Sequence, residues 1–466
     1  MSDAVMNDFL DQPAFAISAA LDKGDLTATA LMAATLDRIA ARNPDLNAIV
    51  SLRDTDVLMR DAAAADAGPR KGWLHGMPLA VKDLSNAAGL PTTMGSPALK
   101  DRIAASSDIM VQRMQDAGAI VIGKTNTPEF GLGSHTFNPV FGATQNALMP
   151  GHSAGGSSGG AAVALASGMI AIADGSDMMG SLRNPAGWNG VYGMRPTWGR
   201  VPSEPLGDLM LHPLSTNGPM ARHPRDLALL LDTMAGPDPR QPHGLDHTPL
   251  APLLDTDLGG KRIGWLGDWG GAYPMEDGVA DHCAAQVARF ADLGCHVTDV
   301  APPFSAAALW DSWTTLRSYA VAASLGPLYD QPAMRAALKD TAIWEIERGR
   351  ALSGTQIQRA SLIRSDWFRA AAKLFHDFDA LVLPTAQCWP FPIDWAYPQD
   401  IAGQKMDSYH RWMEVVVPVS LIGLPSVAVP LPLSQGRPMG LQLIGQSRDD
   451  LGLLQLATGW HALNAA

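Results

Sequence analysis

The stretch Gly155-Gly156-Ser157-Ser158-Gly159-Gly160-Ala161-Ala162-Val163-Ala164-Leu165-Ala166, followed by Ile170-Ala171-Ile172-Ala173-Asp174, reads as a loop, a helix and a strand in succession. Four glycines around two serines give a backbone that can take positive φ and bring hydroxyls close to a second loop. The alanine-rich run over 160–169 favours a helix whose first turn would aim N–H groups at the serines. The apolar run over 170–174 predicts a strand leading into Gly175-Ser176-Asp177-Met178-Met179-Gly180-Ser181-Leu182-Arg183.

The same alternation continues outward. Two helices are expected over 9–41, with Asn43-Pro44 stopping the second, then strands over 79–81 and 119–123 with a helix over 108–117 between them. Downstream come a helix over 224–234 and a strand, helix and strand over 261–266, 279–293 and 295–300. Helices over 305–325 and 355–375 follow, then strands over 380–383, 426–431 and 439–444. The uncharged run over 415–433 carries Pro418, Pro425, Pro430 and Pro432, so it reads as short buried strands broken by turns and not as a membrane span. This pattern predicts an α/β fold with a mixed central β-sheet covered by α-helices on both faces. A single domain over 1–466 is expected, with a Pro-, Asp- and Gly-rich linker at 235–260 as its most mobile part.

At 466 residues and 47% hydrophobic content the chain can bury a large core. A net charge of −12 with no basic block argues against a nucleic-acid or anionic-membrane surface. Residues 1–15 lack the basic and apolar regions of an export signal, and Cys283, Cys295 and Cys388 are odd in number without a CxxC spacing. Both point to reduced thiols in a cytoplasm. Apart from His243 and His247, which fall in a proline- and glycine-rich stretch, the histidines show no HxxxH spacing, and no metal is expected. Nor does a cofactor site stand out. The serine-glycine loop lacks the Gly-Lys-Ser/Thr ending of a phosphate cradle, and 264–271 lacks GxGxxG.

Chemistry points to three residues. Lys82 ends the apolar run Pro78-Leu79-Ala80-Val81, where desolvation would lower its pKa and let it act as a base, although Lys82-Asp83 taken alone also fits a surface ion pair. A serine hydroxyl needs such a base to attack anything, and Ser157 and Ser181 are the candidates.

These residues resemble the amidase signature hydrolases. The family's Gly-Gly-Ser-Ser-Gly-Gly loop is matched at Gly155–Gly160, and its Gly-Thr/Ser-Asp-x-Gly-Gly-Ser-Ile/Leu-Arg-x-Pro-Ala motif at Gly175–Ala186, with the two key serines 24 residues apart. Further matches are Leu74-His75-Gly76-Met77-Pro78, Lys82-Asp83, Gly123-Lys124-Thr125-Asn126-Thr127-Pro128-Glu129-Phe130-Gly131, Gly423-Leu424-Pro425 and Gly440-Leu441-Gln442-Leu443-Ile444-Gly445. The resemblance implies a Ser-cisSer-Lys triad in which Ser181 is the acyl-forming nucleophile, Ser157 the relay on a cis peptide and Lys82 the base. It implies an oxyanion hole from the backbone N–H groups of Met178, Met179, Gly180 and Ser181. The chain departs from the family at Met179, where glycine is usual, at Ala154, where proline is common, and at Arg195, where lysine is usual. Methionine cannot cheaply take positive φ, and its side chain could narrow the acyl pocket.

Ser158, Asp177 and Arg183 read as supports of the two serine loops. His135 borders the substrate channel in this family or is a hydrogen-bonded structural histidine. Trp198, Met210 and Trp389 are candidates for an apolar pocket. The implied activity is cleavage of carboxamide C–N bonds in a small-molecule amide, with aryl amides, anilides and carbamates as candidate substrates. The alternative is the glutaminase subunit of a tRNA-dependent amidotransferase. Oligomeric state is not written in these motifs, and a homodimer is one candidate.

Overall fold

The computed structural model describes residues 9–211 and 214–465. Eight strands form the main sheet in the spatial order His296–Asp299, Arg262–Trp265, Ala380–Pro384, Gly440–Ile444, Ser426–Pro430, Tyr192–Arg195, Thr216–Ala221 and Ile172–Asp177. Arg262–Trp265 pairs parallel with both of its neighbours and every other pairing is antiparallel, so the sheet is mixed. A smaller sheet of Ile49–Val50, Ile120–Thr125 and Pro78–Lys82 lies alongside. Asp174 ties the two together, because its Oδ1 accepts the Lys82 backbone N–H at 2.9 Å.

Both faces of this assembly are apolar, as the period of two along each strand requires. Leu79, Val81, Ile172, Val427 and Val429 enter one core, while Ala80, Ala173 and Ala428 enter another. The helix Gly159–Ala166 packs in the second, buried through Leu165, and supplies the small side chains that let it approach the sheet. Gly160 shows how close that approach is: a Cβ there would stand 2.3 Å from the Asn126 backbone nitrogen.

Some elements differ from the sequence reading. Pro44 does not stop its helix, which runs Ala28–Leu46 and ends at Asn47 with φ 49°. The Asn43 side chain caps the exit by accepting the Ala48 and Ile49 N–H groups at 2.9 and 2.8 Å. In the run read as strands over 415–433, a 3-10 turn at Arg411–Val416 and the helix Val417–Ile422 precede the strand Ser426–Pro430. Pro418 sits in the helix's first turn, where its missing N–H costs nothing, and Gly423 closes it in the left-handed region. Helices Thr55–Ala67, Asp340–Arg350 and Asp450–Ala465, and the strands Tyr192–Arg195 and Thr216–Ala221, were not legible in the pattern.

Segment 235–260 holds one 3-10 turn, Ala251–Leu253. Arg113 binds the carbonyls of Met234, Ala235 and Gly236 at its start, and Asp232 accepts the Leu250 and Ala251 N–H groups. Among the described residues no helix is long and apolar enough to cross a membrane, and no group of three or more His, Cys, Asp or Glu is placed to hold a metal ion.

Candidate active site

Lys82 is the last residue of a fully buried strand. Its Nζ lies 2.9 Å from Ser157 Oγ, 2.8 Å from Ser158 Oγ and 3.0 Å from Ser176 Oγ. These are neutral partners, and among the described residues Lys82 makes no ion pair. Burial lowers its pKa to about 7 against the opposing pull of Asp174 and Asp177. Asp83 takes no part in a surface pair; it is buried, accepts the Thr93 hydroxyl at 2.5 Å and lies 3.8 Å from Lys124. Asp174 is buried too, and burial raises its pKa to about 6, with its Oδ2 lacking a hydrogen-bond partner among the described residues.

The Ser157 loop is held from one side by 134–136. Thr136 N–H and Oγ1 both donate to the Gly155 carbonyl, at 3.0 and 2.8 Å. Ser134 Oγ donates to the Gly156 carbonyl at 2.6 Å and accepts the Gly156 N–H at 3.1 Å. The Gly156–Ser157 peptide bond is cis.

The Ser181 loop begins at Asp177, where the main sheet ends. Asp177 accepts the Gly180 N–H at 2.8 Å, the Leu182 N–H at 3.2 Å and Arg183 Nε at 3.0 Å, and Arg195 Nη1 lies 3.2 Å from its Oδ1. All three charged side chains are fully buried. Burial alone would raise the Asp177 pKa, but the two guanidinium groups hold it well below the usual carboxylate range. Arg183 carries the tie onward to Ser420 Oγ at 2.6 Å and to the Gln442 side chain. Arg195 therefore sits as a buried ligand of this carboxylate.

Of the two residues before Ser181, only Gly180 needs glycine. Its φ is 76°, and a Cβ there would stand 2.8 Å from a Val416 methyl. Met179 lies outside the positive-φ set and its buried side chain is not part of the cavity lining, so its replacement of glycine is accommodated. The Gly180 N–H is committed to Asp177. Among the described residues the N–H groups of Met178, Met179 and Ser181 have no protein acceptor.

Ser157 and Ser181 open onto one cavity of about 130 Å³. Its lining includes Ser176, Met178, Leu84, Phe130, Leu132, Val321, Leu325, Ser215 and Arg317. Among the described residues the Ser181 hydroxyl has no hydrogen-bond partner.

The four residues expected at the substrate pocket stand elsewhere. His135 is buried between Phe137 and Phe391, its Nε2 3.0 Å from the Ile393 carbonyl and its Nδ1 2.8 Å from Ser153 Oγ, and burial lowers its pKa to about 4. Trp198 lines a separate surface depression beside Phe368 and Leu421. Trp389 is fixed by Glu276 and Asp277 in another cleft with Phe391 and Trp395. Met210 is 58% exposed on its loop. The cavity instead sets an aliphatic wall of Leu84, Leu132, Val321 and Leu325 against serine hydroxyls and Arg317. Ser176 lies within the stretch already singled out, but Arg317 comes from the helix Ala306–Tyr329, where its only sequence signal is to be one of two charges, with Asp311, in a largely uncharged run.

A family of sequences described as Amidase matches residues 30–454. The chain is 33% identical over 458 residues to an acylamidase of Rhodococcus erythropolis, covering 96% of this chain and 94% of that one. It is also 33% identical over 483 residues to one of the subunits of the glutamyl-tRNA(Gln) amidotransferase of Chloroflexus aurantiacus, covering 96% of each chain. The crystal structure of a bacterial aryl acylamidase of the amidase signature family superimposes with a TM-score of 0.91 at 29% identity, over 97% of this chain and 96% of that one.

Proposed function

The chain belongs to the amidase family of hydrolases acting on C–N bonds, and from that premise we propose that it is a serine amidohydrolase working through an acyl-enzyme at Ser181. Neutral Lys82 takes a proton from Ser157, and Ser157 takes one from Ser181 as the Ser181 oxygen attacks the amide carbonyl. Negative charge then grows on the carbonyl oxygen, and the free N–H groups of Met178, Met179 and Ser181 are the donors available to meet it. The relay runs back to protonate the departing amine, since an amide anion is a very poor leaving group. Water, deprotonated by the same route, then releases the acid.

The observation that carries this reading is Lys82 Nζ buried among three serine hydroxyls with, among the described residues, no carboxylate paired to it. A lysine so placed gains little by keeping its charge. The aliphatic side of the cavity, Leu84, Leu132, Val321 and Leu325, gives an apolar part of the substrate a place to pack, and aryl amides, anilides and carbamates are the candidate substrates. Hydrolysis of a panel of acyl anilides, aliphatic amides, carbamates and glutamine, read against Ser181→Ala, tests the assignment.

The equal identity to an amidotransferase chain favours a second reading, in which the same serines release ammonia from glutamine. Turnover of glutamine above the anilides in that panel, with co-purification of a partner chain, would select it.

A further inference from the structure

Arg317 is 3% exposed and faces the same cavity as the two serines. Its guanidinium is locked on two sides: Nε donates to Glu345 Oε1 at 2.7 Å and Nη2 to the Tyr409 hydroxyl at 2.7 Å. Glu345 is itself saturated, accepting Ser318 Oγ at 2.6 Å and Tyr409 Oη at 2.9 Å, with His410 at 3.6 Å. Trp313 lies under the guanidinium at 5.1 Å. Of the guanidinium's three nitrogens, Nη1 alone has no oxygen partner among the described residues; its one contact there is the Met178 sulfur at 3.2 Å, a weak acceptor.

A planar donor held this firmly, with two N–H bonds and no oxygen to receive them, is built for an acceptor that arrives with a ligand. Met178, Ser181 and Arg317 line one cavity, so an acyl chain held at Ser181 shares that space with Nη1. Arg317 is already paired with Glu345, and the pair carries no net charge for a carboxylate to neutralise. The matching chemistry is a neutral oxygen.

We propose that Arg317 Nη1 is a specificity-determining group, and that the preferred substrates are amides whose acyl chain carries a second, uncharged oxygen acceptor, a carbonyl or an ether, close to the scissile carbonyl. This rests on the reading of Ser181 as the acyl-forming residue. A substrate lacking that oxygen expels water from Nη1 without replacing it, and an unmet buried donor is penalised.

Butyranilide and methoxyacetanilide differ by one CH2 replaced with oxygen and provide a matched pair. The kcat/KM ratio of methoxyacetanilide to butyranilide is measured for the wild type, Arg317→Met and Tyr409→Phe. Comparing that ratio between proteins cancels both the intrinsic reactivity of the two amides and the folded fraction of each preparation. The ratio is expected to fall at least about tenfold in Arg317→Met and by a smaller factor in Tyr409→Phe, which unlocks Nη2. Where Arg317→Met does not fold, the Tyr409→Phe ratio decides. Ratios within twofold of the wild type, with Ser181 still labelled by a fluorophosphonate, would overturn the role of Arg317 alone. A wild-type preference for the charged succinanilate over methoxyacetanilide would overturn the neutral-oxygen assignment. A wild type that hydrolyses no anilide and takes no label at Ser181 would remove the acyl-enzyme reading along with it.

Discussion

Lys82 Nζ stands 2.9 Å from Ser157 Oγ at the end of a buried strand, and no carboxylate comes within ion-pair distance of it among the described residues. Within hydrogen-bond reach, among the described residues, the ammonium form would find only hydroxyl dipoles and a carbonyl. A base is made by withholding a counter-ion as much as by adding one.

Lys82→Ala is expected to lower kcat by about a thousandfold, and Lys82→Arg to be as inactive, since a guanidinium stays charged at every usable pH. With Lys82 near pH 7, kcat/KM should rise as pH rises through that value, because only the neutral amine accepts the Ser157 proton. Rates measured across the neutral range check this, and a rate that falls through pH 7 would contradict it.

Asp174 raises the affinity of Lys82 for its proton through charge while binding its backbone N–H at 2.9 Å. Asp174→Asn keeps the oxygen acceptor and removes the charge. The acidic limb of the pH profile is expected to move to lower pH, and an unmoved limb would show that the two groups are not coupled.

Gly180→Ala is expected to damage the protein where Met179→Gly does not. Alanine at φ 76° costs about 1–2 kcal/mol in backbone conformation, and its Cβ would press on Val416 from 2.8 Å. Thermal unfolding and turnover of the two variants side by side test this. Equal behaviour would argue against the backbone account of the loop.

Asp177→Asn leaves Arg183 and Arg195 buried without their carboxylate, a change of about 3–5 kcal/mol in pairs of this kind. Because the Asp177 pKa is depressed in the fold, its contribution to stability is full above about pH 4 and is lost as the pH falls below that. Denaturant unfolding of the wild type and variant at neutral and acid pH should show the gap between them narrowing toward low pH.

The serine loops were legible because they are encoded locally. The glycines at 155–160 and the Asp177-to-Arg183 run act within a few residues of each other, so motif and geometry coincide. Six of the main sheet's eight strands were legible for the same reason, as local apolar runs, while Tyr192–Arg195 and Thr216–Ala221 were not. The walls of the cavity were not. Arg317 and Glu345 meet from separate helices, and Tyr409 joins them from a loop more than sixty residues further on, so no local pattern announces the network. Aromatic residues near the motifs suggested a pocket, but Trp389 and His135 give their hydrogen bonds to other segments and face away. Prolines misled where they fall in a helix's first or last turn, as Pro418 and Pro44 do.

Treatment of the wild-type protein with a fluorophosphonate, followed by peptide mapping by mass spectrometry, tests the central claim most directly. One adduct is expected, on Ser181, absent from Ser181→Ala, which should also lose turnover while keeping its thermal unfolding. An adduct mapped to Ser157 or Ser158, or a Ser181→Ala variant that still hydrolyses amides, would contradict the account.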